Sequence, residues 1–125
     1  MSGDWSTLLA IAESEVQRIL TMLPRDLRIE AERLPVTFES RPAKPLRADG
    51  IEADTLGLFV GEAYPDAETS TVPLPPQIIL FLENIRDAAD EDEAVYREEI
   101  RTTFLHELGH YLGLDEIDLE ERGLD

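Results

Sequence analysis

The sequence predicts an α+β fold, and three observations carry that prediction. An amphipathic helical stripe opens the chain, three short β-branched or apolar runs occupy its middle, and a long helical pattern lies near its end. The chain has 125 residues, 42% hydrophobic and 31% charged. A chain of that length buries enough surface for one modest core, so residues 1–125 read as a single domain.

The elements follow in order. Trp5, Leu8, Leu9, Ala12, Val16, Ile19, Leu20 and Leu23 recur at spacings of three and four, which aligns them along one helix face. Pro24 ends that helix, because proline lacks the donor and disfavours helix in the residue before it. Residues 26–33 read as a short helical piece that packs. Residues 36–40, bounded by Pro35 and Pro42, read as a strand, and residues 41–51, with two prolines and the turn pair Asp49-Gly50, as a loop. Residues 56–60 form a second strand in which Gly57, with Gly61 just beyond, lets a neighbour approach closely. Residues 61–76, rich in proline and small polar side chains, form a long loop of the kind that tends to carry function. Residues 77–82 are apolar on both faces, the pattern of a central strand. A helical turn over 83–89 precedes Asp90-Glu91-Asp92-Glu93. These acids sit where a helix dipole favours negative charge, and Asp90 and Glu93 have capping-box spacing, so they read as a cap rather than a dedicated acidic patch. The helix they open runs to about Leu112, with Gly113 just past its end.

Composition excludes several function classes. Eleven basic against 28 acidic residues give a net charge of −17. Nucleic acid or an anionic membrane surface would be repelled, whereas neutral or basic partners are compatible. There is no cysteine, so any metal must be held by nitrogen and oxygen. The first residues have no basic region ahead of the apolar run 8–12, and no apolar stretch reaches the ~18 residues that span a bilayer. The expected location is cytoplasmic.

The chemistry sits in His106-Glu107-Leu108-Gly109-His110, the pattern H-E-x-x-H. Histidines at i and i+4 stand one above the other on a helix face, where two imidazoles can bind one ion at about 2.0–2.1 Å. The glutamate, about 100° further round, is placed to hydrogen-bond a water on the metal and take its proton. Shuffling this composition would produce the pattern roughly twice in a thousand, and with Gly113 included about once in ten thousand. The alternative is a pair of structural histidines, and the helix wheel opposes it. Ile100, Phe104, Leu105, Leu108, Tyr111 and Leu112 form an apolar stripe, while His106 and His110 share the other side with Glu99, Thr102 and Thr103. Zinc needs a third protein ligand. No histidine follows His110, so the ligand must be a carboxylate among Asp115, Glu116, Asp118, Glu120 and Glu121. Glu116, three residues past the turn at Gly113, is the first choice, with Asp115 and Asp118 as alternatives; Glu120, Glu121 and Asp125 read as a solvated face.

His106, Glu107, His110, Gly113 and Glu116 match the extended zincin signature H-E-x-x-H-x-x-G-x-x-(H/D/E). The short chain, the motif near the C-terminus and the segments 56–61, 74–81 and 110–116 resemble the mini-zincins, small bacterial zincin-like metallopeptidases related to the Asp-zincins. The resemblance implies a minimal zincin fold: a small mixed β-sheet packed against the active-site helix, with an N-terminal helix behind. It further implies Zn2+ held by His106 and His110, Glu107 as general base, and Glu116 in the third-ligand position. That position holds Glu where the Asp-zincins have Asp, and no methionine follows Met22, so the metzincin Met-turn is missing. The expected activity is zinc-dependent hydrolysis of a peptide or protein substrate, with strand 56–60 or a neighbour pairing with the extended substrate. Tyr64, Tyr96 and Tyr111 are the candidate oxyanion stabilisers, Tyr111 reading more naturally as a packing residue. The alternative function is a non-catalytic metal-binding or protein-interaction module on the same scaffold; an acidic mimic of nucleic acid rests on charge alone.

Overall fold

The computed structural model describes residues 1–61, 76–121 and 123, with Glu116 described by its backbone alone. The long loop expected over 61–76 therefore falls largely outside the described residues, Tyr64 with it. Helix α1 (Trp5–Met22) opens on Asp4, whose carboxylate accepts the Thr7 N–H at 2.8 Å. It closes ahead of Pro24, where the Arg28 guanidinium donates to the Thr21 and Leu23 carbonyls at 2.9 and 3.0 Å. Carbonyls that the helix end would leave without a donor are thereby satisfied. Helix α2 (Arg25–Glu32) follows, then β1 (Val36–Glu39).

Residues 41–51 are not all loop: α3 (Lys44–Ala48) lies within them. Proline breaks a helix only where its missing donor is needed, and Pro45 falls in the first turn, where no N–H has an intrahelical partner. Strands β2 (Gly57–Val60) and β3 (Gln77–Phe81) and helix α4 (Leu82–Ala88) complete the middle of the chain. The long helix α5 (Glu93–Leu112) is capped by Asp92, not Asp90: the Asp92 carboxylate accepts the Val95 N–H at 3.0 Å. A cap needs extended backbone, which Asp92 has (φ −84°, ψ 123°), whereas Asp90 and Glu91 are left-handed (φ 52° and 60°) and form the corner between α4 and α5.

The sheet order is β1-β3-β2, mixed, with β1 parallel and β2 antiparallel to β3. Central β3 is buried from Ile78 through Phe81, as a strand covered on both faces must be. The core joins α1, α2, β3, α4 and α5 in one cluster that includes Leu8, Ile19, Leu80, Ile85, Ile100 and Phe104. Two polar contacts tie α1 to α5. The buried Glu15 carboxylate receives Arg97 at 3.1 Å and Arg18 at 3.1 Å, and the Tyr96 hydroxyl donates to the Leu8 carbonyl at 3.0 Å. They fix the rotation of α5 about its axis, and hence which face turns toward β2.

Strand β2 lies directly over α5. A Cβ at Gly57 would sit 2.5 Å from Thr103 Cγ2 and 3.5 Å from Glu107 Cγ, so only glycine permits this approach. Further along, Phe59 meets Tyr111 with ring centroids 5.8 Å apart. The chain entering β2 is held by Asn84 of α4, which is 4% exposed. Its amide donates to the Ala53 and Thr55 carbonyls at 2.8 and 2.9 Å, and its oxygen accepts from Arg41 at 2.6 Å. Among the described residues no helix is long and apolar enough to cross a membrane.

Candidate metal centre

Helix α5 buries Ile100, Phe104, Leu105, Leu108 and Tyr111 and leaves His106 and His110 exposed, as the wheel geometry predicts. The two imidazoles stand side by side, ring centroids 4.6 Å apart and planes inclined at 63°. Glu107 is different: it is only 8% exposed, tucked beneath the edge of β2 at Gly57. Its Oε2 lies 3.5 Å from His110 Nδ1. That is close enough for attraction between charges, yet the same oxygen is buried and makes no hydrogen bond among the described residues. Burial pushes the Glu107 carboxyl above its usual range, and the adjoining His110 and then His106 pull it partly back.

Ligand atoms of His106, Glu107 and His110 all lie within 4.8 Å of one another. Two donors on one tetrahedral ion stand roughly 3.3 Å apart, a gap that small side-chain rotations of exposed imidazoles can close. The donors are nitrogen and oxygen, the set zinc accepts when thiolates are absent, and a buried carboxylate oxygen without a partner awaits a donor at the same spot. The residues fit a divalent ion of the zinc class.

The end of α5 turns the chain back toward the histidines. Gly113 is left-handed (φ 73°), and the N–H groups of Gly113 and Leu114 donate to the His110 and Gly109 carbonyls at 3.3 and 2.8 Å, a Schellman closure. Gly109 makes that closure possible, since a Cβ there would stand 2.9 Å from the Leu114 carbonyl oxygen. A glycine between the two histidines of a helical motif is the sequence signal for such a close approach. The turn, with His106, His110, Leu114, Asp115 and Leu119, lines a cavity of about 450 Å³ below the imidazoles. A second cavity of about 360 Å³, lined by Leu56, Gly57, Glu99, Thr103, His106 and Glu107, places the β2 edge and the glutamate in one cleft.

Helix α6 (Glu116–Glu121) begins three residues beyond Gly113. Asp115 and Asp118, the alternative third ligands, exchange backbone hydrogen bonds: Asp115 Oδ1 accepts the Asp118 N–H at 2.8 Å, and Asp118 Oδ2 accepts the Asp115 N–H at 3.0 Å. They form the capping box of α6. Glu116 is the first residue of that helix; its side chain lies outside the described residues. Glu120 and Glu121 are exposed, as a solvated face requires, and Asp125 is outside the described residues. Of the tyrosines, Tyr96 is committed to Leu8, and Tyr111 is buried against Phe59, a packing role.

No curated protein matches the chain. Its residues 31–124, which include both outer strands, the central one and the whole H-E-x-x-H helix, match the family described as zincin-like metallopeptidase, and the chain belongs to that family.

Proposed function

We propose that the protein is a zinc-dependent peptidase whose base is Glu107 and whose zinc ligands are His106, His110 and Glu116. The observation that carries this reading is the buried Glu107 carboxylate, one oxygen of which has no hydrogen bond among the described residues, between an exposed histidine pair and the outer strand β2. Bound zinc supplies Lewis acidity, polarising the scissile carbonyl and acidifying a water. Glu107 accepts the proton of the attacking water and hands it to the departing amine nitrogen. The placement of Glu107 one residue past His106, with its carboxylate beside His110, sets it next to a water on an ion held by the pair.

Strand β2 serves as the substrate rail. The Phe81 N–H bonds to the Leu56 carbonyl, so the hydrogen-bonded pairs with β3 fall at 56, 58 and 60. The pairs at 57 and 59 are the non-bonded ones, and Gly57 and Phe59 therefore turn their N–H and C=O groups to the outer edge. An extended peptide added there runs along the cleft that Glu107 and His106 line.

The test is zinc stoichiometry followed by cleavage of a diverse peptide library. One zinc per chain, lost in His106→Ala, with hydrolysis abolished in Glu107→Gln while zinc is retained, supports the peptidase. A stoichiometric zinc form that cleaves nothing moves the reading to a non-catalytic metal-binding module.

A further inference from the structure

A third cavity, about 340 Å³, lies between α5 and α6 on the side of His106 away from the turn. Its floor is apolar: Leu105 and Leu119 are both buried. Its rim carries two exposed carboxylates, Glu98 from α5 and Glu120 from α6, and one guanidinium, Arg101. His106 lines this cavity and the β2 cleft alike, so a side chain projecting from a peptide held at the histidines can enter it.

Resting on the peptidase reading, we propose that this cavity is the specificity subsite and that it selects a long basic side chain, lysine or arginine. The physics is that of an amphipathic cation. The aliphatic stem covers Leu105 and Leu119, while the charged head stays at the rim between two carboxylates, where it remains partly hydrated. An aspartate or glutamate would meet a rim whose formal charges sum to −1 and a protein whose net charge is −17. An uncharged apolar side chain would fill the floor and leave the rim its net charge of −1, Arg101 offsetting the two carboxylates only in part. Glu98 and Glu120 come from different helices, so they flank the cavity from two walls rather than forming a run on one surface.

The experiment separates this subsite from the reaction itself. Zinc-loaded Glu107→Gln protein is titrated with three five-residue peptides that differ at the central position: lysine, norleucine and glutamate. Norleucine keeps the aliphatic stem and removes the charge. The lysine peptide is expected to bind about five-fold tighter than the norleucine peptide, the scale of two partly exposed charge pairs. The glutamate peptide should bind weakest. In Glu98→Gln/Glu120→Gln the lysine preference should fall to about one, with norleucine binding unchanged. Glu13→Gln/Glu32→Gln, on α1 and α2, removes the same charge from helices that line neither cavity and should leave the preference intact.

Equal or tighter binding of the norleucine peptide overturns the proposal, as does a preference that survives the rim double variant or is lost in the α1/α2 control. Cleavage by wild-type protein is scored separately: lysine-selective binding without hydrolysis would sink the peptidase reading and keep the subsite, whereas hydrolysis with no basic preference would do the reverse.

Discussion

Replacing Gly57 with alanine tests the coupling between the sheet and the H-E-x-x-H helix more directly than any change in the motif. The new methyl carbon would stand 2.5 Å from Thr103 Cγ2 and 3.3 Å from Leu80 Cδ2. Carbon atoms rest about 3.5–4.0 Å apart, so the pair falls short by about 1 Å. A threonine in a helix has few rotamers into which to retreat, and Leu80 blocks motion the other way. Strand β2 must therefore lift from α5. Overpacking of this kind costs about 1–3 kcal/mol, offset by the ~0.5–1 kcal/mol that alanine gains over glycine within a strand. The net loss of about 1–2 kcal/mol corresponds to roughly 4–8 °C in Tm for a chain of this size. On the peptidase reading, the same 1 Å shift separates β2 from Glu107 and should lower kcat/KM about 100-fold while zinc affinity is unchanged. Thr103→Ser removes the clashing methyl and should recover most of both losses, a coupling of at least about 1 kcal/mol in a double-mutant cycle. Urea denaturation, zinc titration and peptide hydrolysis read the three quantities. Unaltered stability in Gly57→Ala, or additive behaviour with Thr103→Ser, would show that β2 is not seated on α5 as described.

Glu107→Gln should stabilise the metal-free protein at neutral pH by about 1 kcal/mol, because a buried ionised oxygen without a partner is relieved. The carboxyl is raised above 4.5 in the fold, so the folded state holds its proton more tightly than the unfolded state. The gain is full above the folded pKa and vanishes below 4.5; urea midpoints with chelator that show a gain independent of pH would contradict it. Asn84→Ala strips three hydrogen bonds from a buried position and should cost about 2–3 kcal/mol, with faster amide exchange at Leu58 and Val60, which pair with β3. A cost under about 0.5 kcal/mol would mean that the segment 53–56 is held by something else. Glu116→Ala should lower zinc affinity by at least ten- to a hundred-fold, the scale that even outer partners of a metal ligand command. Asp118→Ala should instead loosen α6 by about 1 kcal/mol and leave zinc binding near normal; the reverse order would transfer the third-ligand assignment.

The parts of the fold legible in the sequence are those whose physics is local. The stripe from Trp5 to Leu23 gave α1 nearly to the residue, since its period and Pro24 both lie within the helix or next to it. The doubly apolar run at 77–82 marked β3 as central because burial on two faces leaves no polar side chain to alternate. The misreadings have local causes too. Two prolines in 41–51 suggested loop, although a proline in the first turn is harmless to α3. Four consecutive acids offered several caps, and only backbone dihedrals distinguish Asp92, extended, from Asp90, left-handed. What spacing could not show is contact across the chain: Asn84 holds carbonyls 29 and 31 positions away, and no pattern in the sequence pairs them.

The candidate site divides along the same line. His106, Glu107 and His110 share two turns of one helix, so their meeting follows from the period alone. The third ligand depends on how the chain leaves that helix. Asp115 and Asp118 carry the D-x-x-D spacing of a capping box, the same rule that was placed two residues early at the start of α5 and that holds at α6. Reciprocal bonds aim both carboxylates at the backbone of their own helix start, and turning either to a metal would forfeit a cap. Glu116 is the first helical residue, where a side chain has no part in the cap and a carboxylate is favoured by the helix dipole. On the reading proposed above, the extra methylene of glutamate over aspartate gives a ligand at the start of α6 a longer reach. Ligation by Asp115 or Asp118 would instead require α6 to unwind at its start, and loss of helical amide protection at 116–119 on zinc binding would be its signature.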